Sequence, residues 1–406
     1  MVEAVIVSAA RSPIGRAGKG SLKDMRADEL ATQMVRAALD QVPGLDPSEV
    51  EDLMMGCAQP AGEQGYNIAR TTAVRLGLDS VSGTTVHRYC SSSLQTTRMA
   101  FHAIKAGEGD VFISAGVEAV SRFGQGKSDG SPDTKNPFFA EAMARSIAHA
   151  GDASASWVDP RSLGLVPDVY LNMGETAENV AQLRGVSRRS QDEWAVRSQN
   201  LAEAAAARGF WAKDITPVVL PDGTVVSTDD GPRAGVAYEK LATMQPVFRE
   251  HGTVTAANCC PLNDGAAALV VMSDTRAKEL GLTPLARIVS TGVSAVSPEI
   301  MGLGPVGAVQ QALARARMSI GDIDIMELNE AFAAQVLPSI DDIGIDPDRV
   351  NVNGGAIALG HPFGMTGARM ATTAIHALQE RDEQFAIETM CVAGGQGMAL
   401  LLERLS

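Results

Sequence analysis

Aromatic residues make up only 4% of the 406-residue chain, too few for a surface that stacks on successive bases. Positive charge is also short: 34 Lys and Arg stand against 48 Asp and Glu, a net charge of −14. That balance disfavours non-specific binding to nucleic acid or anionic membranes, while leaving room for a local basic patch that meets an anionic cofactor. Cysteine is sparse and odd in number. Cys57, Cys90, Cys259, Cys260 and Cys391 form no C-x-x-C pair, so neither a disulfide scaffold nor a zinc site is expected, and the thiols read as reduced in a cytoplasm. No run of about 18 uncharged apolar residues exists to span a bilayer. The opening MVEAVIVSAARSPIG places its apolar residues before its arginines, the reverse of a signal peptide. What is present is a 45% hydrophobic, 20% charged composition, ordinary for a large globular core spread over two to three units.

Short β-branched runs alternate with Ala-rich helical stretches, which predicts layered α/β sheets. In the first part, strands are expected at 4–7, 52–55, 84–86 and 110–114, with helices at 27–39, 67–76 and just after Cys90. The last third repeats the order: strands at 286–289, 323–327, 351–353, 385–391 and 398–402, helices at 306–316, from 331, and at 366–378. Arg98-Met99-Ala100-x-x-Ala103-Ile104 recurs as Arg369-Met370-Ala371-x-x-Ala374-Ile375. Chance matching in Ala-rich helices is the alternative, and the shared order of elements favours a duplication. Between the copies, about 120–262, lies a Gly-, Ser-, Asp- and Pro-rich excursion with a helix at 189–208, read as a functional lobe over a site. The apolar run 264–272 that follows looks like the displaced last strand of the first copy.

Four residues could carry chemistry. Cys90, in Val86-His87-Arg88-Tyr89-Cys90-Ser91-Ser92-Ser93, lies between a strand and an amphipathic helix. A thiol at a helix start faces free N–H groups, which is expected to stabilise thiolate and lower its pKa; an inert buried cysteine is the alternative. His361 sits in a Gly-rich loop before a helix, and a duplication would bring it across from Cys90; a structural loop histidine is the alternative. Cys391 ends a strand and enters Ala393-Gly394-Gly395, a turn whose N–H groups could form an oxyanion hole or, less well supported, cradle a phosphate. Asn329, at a strand-to-helix junction, could present its amide to a water or carbonyl, or cap the helix. Cys57 reads as core.

Together these segments, with Ala9-Ala10-Arg11-Ser12-Pro13-Ile14-Gly15, Met173-Gly174-Glu175-Thr176-Ala177-Glu178-Asn179, Gly252-Thr253-Val254-Thr255-Ala256-Ala257-Asn258, Leu262-Asn263-Asp264-Gly265 and Asn329-Glu330-Ala331-Phe332, resemble the thiolase family nearly end to end. The resemblance implies a duplicated five-layered α-β-α-β-α architecture with an inserted loop domain. Its expected division is 1–119 plus 263–284, a CoA-binding loop domain at 120–262, and 285–406. It implies that Cys90 accepts the acyl group, His361 activates it, and Cys391 acts as acid and base. One oxyanion hole would form from His361 and a water held by Asn329, the other from the N–H groups of Cys90 and Ala393. Met173, Arg233, Phe248, Ala256, Cys260, Leu262 and Phe332 fall at the family's CoA-pocket positions. The implied reaction is CoA-dependent cleavage of a 3-ketoacyl-CoA or the reverse Claisen condensation, with CoA as substrate and no metal or permanently bound cofactor. A homodimer or homotetramer in the cytoplasm is implied, and a hydroxyacyl-CoA dehydrogenase is a candidate partner. A β-ketoacyl synthase-type condensing enzyme and a non-catalytic acyl-CoA or lipid carrier are the alternatives. His87, Ser93, Asn172, Cys260 and Ala393 depart from the family pattern, leaving chain length open.

Overall fold

The computed structural model describes residues 2–131, 133–152 and 156–406; Pro132 and 153–155, within the expected lobe, and Met1 lie outside the described residues. The first copy runs β1 (Ala4–Arg11), α1 (Ala27–Asp40), β2 (Asp52–Gly56), α2 (Ile68–Arg75), β3 (Ser82–Val86), α3 (Ser92–Ala106) and β4 (Val111–Ala119). The excursion follows, with α4 (Ala140–Ala150), α5 (Met173–Arg184) and α6 (Arg188–Ala207). The chain then returns as β5 (Asn263–Ser273), which inserts antiparallel between β1 and β4. The second copy runs β6 (Ala286–Ala295), α7 (Gly304–Ala316), β7 (Ile325–Leu328), α8 (Ala333–Ile343), α9 (Thr366–Arg381), β8 (Phe385–Val392) and β9 (Gln396–Arg404).

The pairing rules are the same in both copies. First and last strands are antiparallel (β1 with β5, β6 with β9), the last is antiparallel to the one before it, and that strand is parallel to the second. One element differs. The first copy has a full parallel strand β3 beside β2, whereas 351–353, expected as a strand, contributes only a bridge between Val350 and Met326. The reason is local. Asn351 adopts φ +50 and its amide pairs both the N–H and the C=O of Leu328, at 2.8 Å each. A side chain thus takes the ladder's place before Gly354 turns the chain away.

The sheets meet where β1 and β6 pair at Val5–Arg287 and Ile6–Ala286. Alternation along β5 shows how the layers are filled. Ala266, Ala268, Val270 and Met272 face the cluster with α1 and α2, while Ala267, Leu269 and Val271 face the one with α3 and α9. A stretch buried on both faces is apolar, as Ala266–Met272 is here. The outer face of the second sheet packs on α7 and α8. Helices, sheet, paired central helices, sheet and helices therefore make five layers. The repeated Arg-Met-Ala segment lies on α3 and α9, the two helices shared by both sheets.

The starts of those helices touch. A methyl group on Gly367 would fall 2.3 Å from the Leu94 nitrogen, and one on Gly364 would fall 2.2 Å from the Val117 oxygen. Ser93 Oγ accepts the Ala368 N–H at 3.0 Å. The loops carrying Cys90 and His361 are held together by this junction.

Candidate active site

Cys90 lies in a tight turn, Tyr89–Ser91, between β3 and α3. Tyr89 has φ +43, a left-handed conformation unusual for a bulky side chain. The serines stabilise the bend: Ser92 Oγ accepts the Arg88 N–H at 3.0 Å and donates to the Tyr89 carbonyl at 2.6 Å. The turn packs against both β8 and α9, elements of the second copy. The residue is partly exposed, and the N–H groups of Ala393 and of Cys90 itself act on its buried sulfur. The expected lowering of its pKa does not occur. Burial pushes the thiol up to about 12, outweighing both N–H groups, because desolvating an anion costs more than two dipoles return.

Cys391 is buried near the end of β8. Burial pushes its thiol up, and the charge of a Cys90 thiolate adds to the effect. Cys260 is raised by burial and then by the charges of Cys259, Cys90 and Cys391. Three sulfurs from distant positions, Cys90, Cys260 and Cys391, thus share one electrostatic neighbourhood. Ala393 has no left-handed backbone; Gly394 and Gly395, both at φ +79, make the turn. Its methyl group is accommodated without strain.

His361 is buried. Asn263 Oδ1 accepts its backbone N–H at 3.0 Å, and its ring Nδ1 lies 2.7 Å from Thr366 Oγ1. Its Nε2 lies 3.3 Å from Asn329 Nδ2. Burial, with the nearby Arg369 charge, pushes the imidazole down to about 3, so it is neutral at pH 7. Among the described residues no hydrogen bond joins Cys90 Sγ to His361. Asn329 is not a helix cap, since the cap position of α8 is Phe332 and no side chain bonds there. Its backbone N–H donates to Thr389, its carbonyl accepts Gln335 Nε2, and its buried Oδ1 has no partner.

Two carboxylates that the sequence reading passed over hold these loops. Glu118, on β4, accepts the N–H groups of Ala58 and Gly364 at 2.8 and 2.9 Å and Gln64 Nε2 at 2.9 Å; burial pushes it up to about 7. Glu330 accepts Trp194 Nε1, Ser198 Oγ, Asn351 Nδ2 and the Ile357 N–H at 2.6–3.1 Å, tying the Asn329 segment to α6 and to the approach to His361. Glu330 stood beside Asn329 in a recognised motif; nothing local marked Glu118.

Among the expected pocket residues, Met173, Phe248, Cys260 and Phe332 join Cys391 in one apolar cluster. The Phe248 and Phe332 rings meet edge to face at 6.1 Å. Gly174 makes room for this, since a methyl there would fall 2.2 Å from the Phe248 ring. Arg233, Ala256 and Leu262 lie outside the cluster and are exposed. The Arg233 guanidinium meets no carboxylate among the described residues, and only its backbone N–H is tied, to Gln199. Asn172 is exposed and caps α5 through the Gly174 N–H at 2.9 Å. His87 packs edge-on against Tyr89 at 4.5 Å. Among the described residues no three His, Cys, Asp or Glu side chains group as metal ligands, and no helix is long and apolar enough to cross a membrane.

Comparison with known proteins agrees with this geometry. A family model described as "Thiolase, N-terminal domain" matches residues 4–275, and one described as "Thiolase, C-terminal domain" matches 282–404. The 3-oxoadipyl-CoA/3-oxo-5,6-dehydrosuberyl-CoA thiolase of Escherichia coli (strain K12) is 44% identical over 100% of both chains. The acetyl-CoA acetyltransferase of Cupriavidus necator is 42% identical, again over 100% of both. The crystal structure of the Bacillus anthracis acetyl-CoA acetyltransferase matches with a TM-score of 0.85 at 38% identity, covering 100% of this chain and 99% of that one.

Proposed function

The chain belongs to the thiolase family, and from that premise we propose how its residues share the work of acyl transfer. The enzyme is an acyltransferase of CoA thioesters. It cleaves a 3-ketoacyl-CoA with CoA, or runs the reverse Claisen condensation, and CoA is its substrate rather than a resident cofactor.

In this reading Cys90 is the nucleophile. Both it and His361 are neutral at rest, so the thiol proton passes to His361 Nε2 as the sulfur attacks the 3-keto carbonyl. The N–H groups of Cys90 and Ala393 stabilise the resulting oxyanion. The Cα–Cβ bond breaks, the acyl group stays on Cys90, and Cys391 protonates the departing acetyl-CoA enolate, whose oxygen is held by His361 and by a water on Asn329. The partnerless Oδ1 of Asn329 supplies an acceptor for that water. Cys391 then takes the CoA thiol proton, and the CoA sulfur carries the acyl group off Cys90. Met173, Phe248, Cys260 and Phe332 wall the pantetheine channel. Arg233, Ala256 and Leu262 form its rim, where the unpaired guanidinium suits the nucleotide phosphates.

The single observation that carries this reading is that the Cys90 turn of one copy packs against β8, which carries Cys391, and α9, which follows the His361 loop, in the other. Mass spectrometry after mixing with acetoacetyl-CoA tests it. An acetyl mass on the Cys90 peptide, absent in Cys90→Ala, is expected; an unmodified Cys90 during turnover refutes it. The division into 1–119 with 263–284, 120–262 and 285–406 is proposed on the place of β5 between β1 and β4. A homodimer or homotetramer, a hydroxyacyl-CoA dehydrogenase that supplies the 3-ketoacyl-CoA, and a cytoplasmic setting consistent with five free thiols complete the proposal. Relatives named for 3-oxoadipyl-CoA put a dicarboxylic chain on the substrate panel beside unbranched ones.

A further inference from the structure

We propose that Thr366 is a positioning residue that fixes the proton on His361 Nδ1 and supports the imidazolium formed during acylation. The inference rests on the reading of His361 as the base for Cys90. Thr366 is fully buried at the first position of α9. Its Oγ1 lies 2.7 Å from His361 Nδ1 and 2.8 Å from the Pro362 carbonyl. A hydroxyl has one hydrogen, and a carbonyl can only accept. The hydroxyl hydrogen therefore goes to Pro362, and the oxygen is left to accept Nδ1–H. That leaves Nε2 with its lone pair, which agrees with the Asn329 Nδ2 donor facing it at 3.3 Å.

The consequence follows when Nε2 takes the thiol proton. The ring becomes a cation with two N–H groups in a buried site that already disfavours charge, with Arg369 adding repulsion. No carboxylate bonds Nδ1 among the described residues, so the Thr366 oxygen is the acceptor that receives the second N–H. The proton moves from Cys90 Sγ to His361 Nε2 and returns when the acyl group leaves; Thr366 neither gains nor loses one.

The test combines a spectrum with kinetics. In enzyme labelled with ¹⁵N-histidine, the His361 signal, assigned by its loss in His361→Gln, is expected to show a protonated Nδ1 and an unprotonated Nε2 at pH 7. Thr366→Val, which keeps the shape and removes the hydroxyl, is expected to slow acylation of Cys90 about 10- to 100-fold, the worth of one hydrogen bond to a charged group, with KM unchanged. Thr366→Ser is expected to restore most of the rate. A protonated Nε2 in the wild type, or wild-type acylation in Thr366→Val, overturns the proposal. If Thr366→Val does not fold, Thr366→Ala against Thr366→Ser and the wild-type spectrum decide the matter. Absence of any acyl adduct in the wild type would instead defeat the assignment of Cys90 and His361, while the spectrum would still report the tautomer.

Discussion

Alkylation of Cys90 offers a direct measure of the resting proton. Raising the thiol from 9.0 to about 12 disfavours the thiolate by about 4 kcal/mol, and lowering the imidazole from 6.5 to about 3 disfavours the imidazolium by about 5 kcal/mol. A preformed ion pair would have to recover both, and no hydrogen bond joins the two groups. The neutral pair is therefore the resting state. At pH 8 the thiolate fraction is then about 1 in 10,000, against roughly a quarter for an ordinary thiol of pKa about 8.5. Iodoacetamide should modify Cys90 about three orders of magnitude more slowly than a free thiol at that pH. Its rate should climb about tenfold per pH unit from 7 to 10, because only the thiolate reacts. Peptide mass spectrometry separates Cys90 from the other four cysteines, and Cys90→Ala supplies the blank. A rate that is already fast and flat between pH 6 and 8 would show a thiolate–imidazolium pair and refute the reasoning.

Glu327 and Glu388 stand in register on β7 and β8, both buried, Glu388 with neither oxygen bonded and Arg369 Nη1 3.7 Å from Glu327. Burial pushes Glu327 up to about 8 and Glu388 upward too, so the folded chain holds more protons than the unfolded one, and stability falls as pH rises from about 4.5 toward 8. Glu388→Gln should flatten that slope by up to about 1.4 kcal/mol per pH unit in urea unfolding; an unchanged slope would count against the assignment. Glu118→Ala strands the N–H groups of Ala58 and Gly364 and should lower unfolding stability by about 2–5 kcal/mol; a loss under half a kcal/mol would show that the loops need no such tie. Gly364→Ala drives a methyl against the Val117 carbonyl and should destabilise by about 1–3 kcal/mol or more, whereas Gly321→Ala, whose nearest neighbour lies at 3.6 Å, should leave the melting temperature unchanged.

Most of the fold was legible because both kinds of period were present. The apolar run of β5, buried on both faces, and the Ala-rich stripes of α3 and α9 could hardly form anything else, and the repeated Arg-Met-Ala segment fell on the pair of helices that occupy equivalent places. The segment 351–353 misled for a physical reason. Its alternation suits a strand, yet Asn351 uses its side chain to satisfy Leu328 and leaves the ladder after one bridge. Within the site, Cys90, His361, Cys391 and Asn329 could be nominated from their junctions between strand and helix or strand and turn. These are places where backbone N–H groups are left over.

The electrical state of those groups was not legible, and the reason is general. A thiol's ionisation sums a local term, the N–H groups of its own turn and of Ala393, and a non-local one, the protein packed around it. Sequence displays the first, because the serines and the helix are neighbours of Cys90. The second comes from β8, α9 and Glu118, which are hundreds of residues away or carry no motif, and here it is the larger. The same asymmetry hid Glu118 and Thr366. Glu118 acts on Ala58 and Gly364, positions 60 and 246 residues distant. Thr366 is only five residues from His361, but its value lies in the direction of a single hydroxyl hydrogen, set by the Pro362 carbonyl. In this enzyme sequence names the groups that can react, while the packing of one copy of the fold against the other decides which of them hold a proton.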